Sequence, residues 1–120
     1  MNKNIITEDI VRDHAKIILG FDAEEDGIQQ GTGQITTFNQ LGFKGNNNKP
    51  DGWYLPDDKG DVAIILETKS GQENVQNDKW IKELKKNIKI TSKQYSKIVG
   101  ILYNGEDVLV VKYQKFSQEE

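Results

Sequence analysis

The sequence predicts an α+β protein, an α/β sandwich in which a central mixed sheet is flanked by helices, and three observations carry that expectation. Residues 7–19 and 75–90 repeat their apolar side chains at helical spacing. Between these helices lie three strand candidates, at 34–38, 51–55 and 62–69. An Asn104-Gly105 pair then joins two β-branched runs, 97–103 and 107–113, as a hairpin. The expected order is helix, three strands, helix, two strands. A length of 120 residues suits one domain over 1–120 with a modest core.

Residues 1–6 are expected to fray, and Thr7 is placed to cap the first helix, with Glu8 and Asp9 in the turn where the helix dipole favours acids. Ile10, Val11, Ala15, Ile18 and Leu19 form its apolar stripe, and Gly20 ends it. Glu8, Asp9 and Asp13 read as its solvated side, and His14, the only histidine, as a surface or rim residue. Residues 21–33, acidic and then rich in Gln and Gly, show no periodicity and predict an exposed loop. Gln34, Ile35, Thr36, Thr37 and Phe38 have the β-branched and aromatic character of a first strand, which Leu41, Gly42 and Phe43 extend. Residues 45–48 are a turn by composition.

The second helix, from about Val75 to Ile90, presents Trp80, Ile81, Leu84 and Ile88 as one stripe that packs on the sheet. Lys82, Lys85, Lys86, Lys89 and, past the helix end, Lys93 follow at helical spacing and form the only basic concentration in the chain. Two readings stay open for it: a solvated helix face, or a surface that contacts phosphates. The Asn104-Gly105 pair suits the positive φ angles of a type I′ or related turn, and residues 116–120 read as a polar tail.

Composition narrows the function classes. With 35% hydrophobic and 29% charged residues and a mean hydropathy of -0.70 the chain is polar, yet its apolar residues cluster, so a folded soluble protein is expected. No apolar run of ~18 residues and no basic-then-apolar leader occurs, so neither a membrane span nor a secretory signal is expected. The lack of cysteine removes disulfides, zinc-thiolate sites and thiol nucleophiles together, and is compatible with a cytoplasmic location. A net charge of -3 and a pI of about 5.2 have the wrong sign for gripping DNA through the whole surface. Nucleic-acid binding would need a local basic patch, a metal at an acidic site, or a partner that supplies affinity.

The charges that close the most apolar run need a reason. Side chains alternate along a strand, so Ala63, Ile65, Glu67 and Lys69 share one face, and Val62, Ile64, Leu66 and Thr68 the other. If the strand beside Asp51 pairs antiparallel with this one across a turn at 56–60, Asp51, Glu67 and Lys69 meet at one point. Two carboxylates there suit a hard cation such as Mg²⁺, which keeps several of its waters. The lysine is left to orient a water or to stabilise developing negative charge.

Pro50-Asp51, followed by Glu67-Thr68-Lys69 at the end of a hydrophobic strand, resembles the PD-(D/E)xK nuclease superfamily, which includes many restriction endonucleases. The resemblance covers most of the chain and implies a restriction-endonuclease-like αβββαβ core. Lys49-Pro50-Asp51, the Glu67-Thr68-Lys69 strand, the lysine-rich helix and the hairpin over 100–107 are similar to the N-terminal nuclease domain of bacterial restriction-modification proteins. That likeness implies a Mg²⁺-dependent DNA endonuclease, with Mn²⁺ as a substitute, in which Asp51, Glu67 and Lys69 are catalytic. Asp51, Glu67 and the Thr68 carbonyl would hold the metal, which in some such nucleases an acid of the first helix also reaches although Glu8, Asp9 and Asp13 read here as solvated, and Lys82, Lys86 and Lys89 would contact DNA. It also implies a fused or associated methyltransferase, translocase or specificity domain, with this chain either a fragment of the longer protein or encoded alone.

Related nucleases often carry a Gln-x3-Tyr pair on the helix after this strand, but here those positions hold Glu83 and Asn87. Gln76 and Trp80 have a similar spacing earlier in the helix. The departure keeps two further readings open. One is a nuclease-fold module without catalysis that binds DNA or a partner protein. The other is an unrelated small α+β interaction domain in which Glu67 and Lys69 form a surface pair.

Overall fold

The computed structural model describes residues 7–21 and 23–115, so the expected frayed start at 1–6 and polar tail at 116–120 lie outside the described residues. The elements follow in the order α1 (Glu8–Leu19), β1 (Ile28–Thr32), β2 (Gly52–Pro56), β3 (Ala63–Thr68), α2 (Asp78–Thr91), β4 (Lys97–Tyr103) and β5 (Val108–Gln114). This is an α+β chain with a five-stranded mixed sheet in the order β1-β2-β3-β4-β5. Only β3 and β4 run parallel, because α2 carries the chain across between them; every other neighbouring pair is antiparallel.

The ends of α1 are set by local chemistry. The Thr7 hydroxyl accepts from the Ile10 N–H, and Gly20 takes the left-handed conformation (φ 71°) that closes the last turn. Helix α2 begins later than its apolar stripe suggests, because Asn77 caps it by accepting from the Lys79 N–H. Val75 lies before the helix and is buried in the core.

The first strand is not where β-branched composition puts it. Gln34 to Phe38 form no strand; Thr37 and Gln40 instead make a reciprocal cap, the Thr37 hydroxyl accepting from Gln40 N–H and the Gln40 side chain accepting from Thr37 N–H. This turn aims Phe38, Leu41 and Phe43 into the core. The strand lies instead within the stretch expected to be a loop, at Ile28–Thr32, which pairs with β2. Gly31 makes the pairing possible, since a Cβ there would stand 2.8 Å from the Trp53 ring.

Side-chain alternation on β3 sorts the core into two faces. Ala63 and Ile65 pack with Leu84, Ile88, Ile98 and Leu102 under α2, while Leu66 packs with Ala15 and Phe21 under α1. Helix α2 rides so close to β4 that a Cβ on Gly100 would lie 2.5 Å from Ile88 Cδ1. The β4–β5 connection is not a type I′ turn. Asn104 Oδ1 accepts from the Glu106 and Asp107 N–H groups, and Gly105 alone takes a positive φ, 97°. Among the described residues no helix is long and apolar enough to cross a membrane.

Candidate active site

Asp51 is fixed through its backbone before its side chain does anything. Its N–H donates to Leu66 O at 3.1 Å and its carbonyl accepts from Gly33 N–H at 3.0 Å, which locks it between β1 and β3. The register Gly52↔Leu66, extended by one residue, sets Asp51 beside Glu67. The Asp51 side chain then turns over the strand end, where Oδ2 accepts from Thr68 N–H at 2.7 Å and from the Thr68 hydroxyl at 3.2 Å. Thr68 therefore positions Asp51 through its N–H and its hydroxyl.

Glu67 is only 3% exposed and Asp51 8%, so the reading of Glu67 and Lys69 as a surface pair fails. Burial pushes the Glu67 carboxyl up to about 9, helped by the charges of Asp51 and Glu83 and by a hydrogen bond in which protonated Glu67 donates to Glu83. Asp51 is also raised, chiefly by burial, against the opposing bonds from Thr68 and the charges of Lys69 and Arg12. Asn87 Nδ2 donates to Glu67 Oε2 at 2.7 Å and is itself buried.

Lys69 reaches the same point from the other side. Its N–H continues the parallel ladder to Tyr103 O, while Nζ lies 3.1 Å from Glu83 Oε1 and 4.0 Å above the Trp80 ring. Trp80 is held in turn by its Nε1–H donating to Glu73 at 3.0 Å. The three groups read from the sequence thus come together, but the direct partner of the ammonium is Glu83.

Glu83 and Asn87, read in the sequence as a departure from a pattern, are the polar residues of α2 that bond Lys69 and Glu67. One helical turn separates them, which is the signal that both face the end of β3. Glu8 also departs from expectation. It is not on a purely solvated side: its carboxyl is raised, first by burial and then by the Asp51 charge, and it feels Lys69. Arg12, one turn on, bonds Asp9, lies 3.9 Å from Glu8 and is 11% exposed, with Nη1 buried and without a hydrogen-bond partner among the described residues. Asp9, Asp13 and His14 are exposed, and so is Gln76.

A cleft of about 230 Å³ lined by Asn48, Lys49, Glu83, Lys86 and Asn87 lies against the two α2 residues that bond Lys69 and Glu67. Of the lysines expected to contact DNA, Lys86 borders the cleft, while Lys82 and Lys89 are exposed elsewhere on α2.

The donor set limits what this cluster can hold. Among the described residues no three His, Cys, Asp or Glu side chains are grouped to bind a metal ion by themselves. Asp51 has one oxygen engaged by Thr68 and a second for another partner, while Glu67 Oε2 accepts from Asn87 and its protonated carboxyl donates to Glu83, a proton that a bound cation would displace. That suits a hydrated hard cation, which needs only one or two carboxylates and completes its shell with water. No family model matches the chain, and no curated protein or solved structure matches it either.

Proposed function

We propose that this chain is a Mg²⁺-dependent endonuclease domain that hydrolyses DNA phosphodiester bonds, with a PD-(D/E)xK-like site on a restriction-endonuclease-like core. One observation carries the reading: two carboxylates, Asp51 and Glu67, are buried side by side at the end of neighbouring strands, within the field of Lys69. A fold gains nothing from burying two neighbouring carboxyls, and such groups concentrate where chemistry needs them.

In this reading Asp51, Glu67 and the Thr68 carbonyl would hold Mg²⁺, for which Mn²⁺ is a substitute. The ion supplies polarisation of the phosphate and stabilisation of the leaving oxygen when bound. Thr68 keeps Asp51 aimed and Asn87 keeps Glu67 aimed, so that neither carboxylate swings. Lys69, steadied by Glu83 and the Trp80 face, orients the attacking water and offers positive charge to the phosphate. Lys86, with Lys82 and Lys89 along the helix, would meet the DNA backbone, and a restriction-system partner would supply most of the affinity that a net charge of -3 withholds.

The test is cleavage of plasmid DNA by purified Asp51→Ala, Glu67→Ala and Lys69→Ala variants with Mg²⁺. Each is expected to lose cleavage by more than about a hundredfold while keeping its circular dichroism spectrum. Full cleavage by any one of them would remove that residue from the site. A second reading, a nuclease-fold module that binds DNA or a partner protein without cutting, is favoured by the engagement of Lys69 Nζ with Glu83. Calorimetric titration with Mg²⁺ separates the two: heat that disappears in Glu67→Ala supports the hydrolase, and none in the native chain supports the binding module.

A further inference from the structure

We propose that a groove of about 470 Å³ between α2 and the edge strand β5 binds single-stranded nucleic acid. Lys85 and Lys89 bring two exposed lysines to it from α2, one helical turn apart, while Lys112 borders it from β5 with its side chain alternating to the other face from Val111 and Tyr113. Among the described residues no acid lines the groove, although the chain as a whole carries a net charge of -3. Its floor is apolar, with Val111 and the Tyr113 ring packed onto the core, so the ring is held in place.

Lysines around a fixed aromatic ring match a polyanion with exposed bases. An unstacked base lies on the ring while its flanking phosphates meet the ammonium groups, and the bases of a duplex are already stacked and cannot do this. At about 100° per residue around α2, Lys82 falls between this groove and the cleft beside Glu83 and Asn87, which Lys86 itself borders, and together they make a basic path from one to the other. The groove therefore deepens the hydrolase reading by giving a single-stranded flank of the substrate a place to lie. It was reached from a different set of residues, so either can fail alone.

Fluorescence anisotropy tests it with the full chain in EDTA, where nothing is cut, using a fluorescein-labelled oligothymidylate about 12 nucleotides long. The native chain is expected to bind it. The Lys85→Ala/Lys89→Ala double variant should lower the slope of log affinity against log salt by about 1.4, two phosphates' worth. Tyr113→Leu should weaken binding about tenfold or more with little change in slope, and Tyr113→Phe should restore it. Lys97→Ala, exposed at the start of β4, should bind as the native chain does. Absence of binding by the native chain, or native binding by both Tyr113→Leu and the lysine double variant, overturns the proposal. So does an oligoglutamate that displaces the oligonucleotide at equal charge, which would make the groove a site for acidic peptides. Binding with these dependences but no Mg²⁺-dependent cleavage supports the groove and removes only the hydrolase reading.

Discussion

The two halves of β3 are equally buried and chemically opposite. Ala63, Ile65 and Leu66 are fully buried among hydrocarbon, and each large aliphatic side chain there stabilises the fold by about 1.5–3 kcal/mol. Glu67 and Thr68 are as dry, yet burial drives the Glu67 carboxyl far above its ordinary range. One half of the strand holds the protein together. The other is kept at the expense of stability, an asymmetry within six residues of the kind on which the proposed site rests.

The comparison breaks first at Ile65. Ile65→Ala removes a fully buried side chain beneath α2, so urea denaturation should show a loss of about 2–5 kcal/mol. Mg²⁺ affinity of the folded fraction should stay as it was, because Ile65 contributes packing and no donor. A loss under about 1 kcal/mol would mean that the apolar half is not what secures the strand.

Glu67→Gln probes the other half and should act in the opposite direction. In the metal-free native chain the folded Glu67 keeps its proton up to about pH 9, whereas the unfolded one releases it near 4.5. The folded state binds more protons across that window, so stability should fall as pH rises through it and level off above pH 9. Asp51, also raised by burial, adds in the same direction from its own ordinary range upward. The amide that replaces the carboxyl would still accept from Asn87 and donate to Glu83, without a charge to desolvate. The variant should therefore be more stable than the native chain at pH 8, by on the order of 1 kcal/mol, and its melting temperature should vary less between pH 5 and 9. Excess Mg²⁺ should raise the melting temperature of the native chain and leave Glu67→Gln nearly unmoved.

The same contrast explains what could be read in advance. Elements whose signals are local were legible: the Thr7 cap and Gly20 stop of α1, the Leu84 and Ile88 stripe of α2, and the β4–β5 hairpin. The convergence of Asp51, Glu67 and Lys69 was legible too, because alternation along one strand and a short turn leave little freedom. β1 was not, since an edge strand reading Ile-Gln-Gln-Gly-Thr is polar on both sides and its fitness rests on Gly31 lying beside Trp53. Thr37 misled because a β-branched residue three before Gln40 is also a capping pair, and the cap prevailed. Glu8 was hidden for a tertiary reason: its field comes from Asp51, a residue of another element.

The smallest expected effect concerns how α2 holds the polar half. Glu83 is partly exposed and its pair with Lys69 is screened by water, so Glu83→Gln should change stability by less than about 1 kcal/mol. Its effect on turnover should be disproportionate. With the charge gone, Lys69 keeps only the Trp80 face and a weaker amide bond, and its ammonium would sample positions away from the water that the proposed reaction has it orient. Cleavage at saturating Mg²⁺ should therefore drop several-fold in kcat, with the Mg²⁺ concentration for half-maximal rate unchanged. If that concentration rises instead, Glu83 acts on the metal and not on the lysine. If neither moves, the helix contributes packing alone to this end of β3, and Lys69 finds its position from the strand.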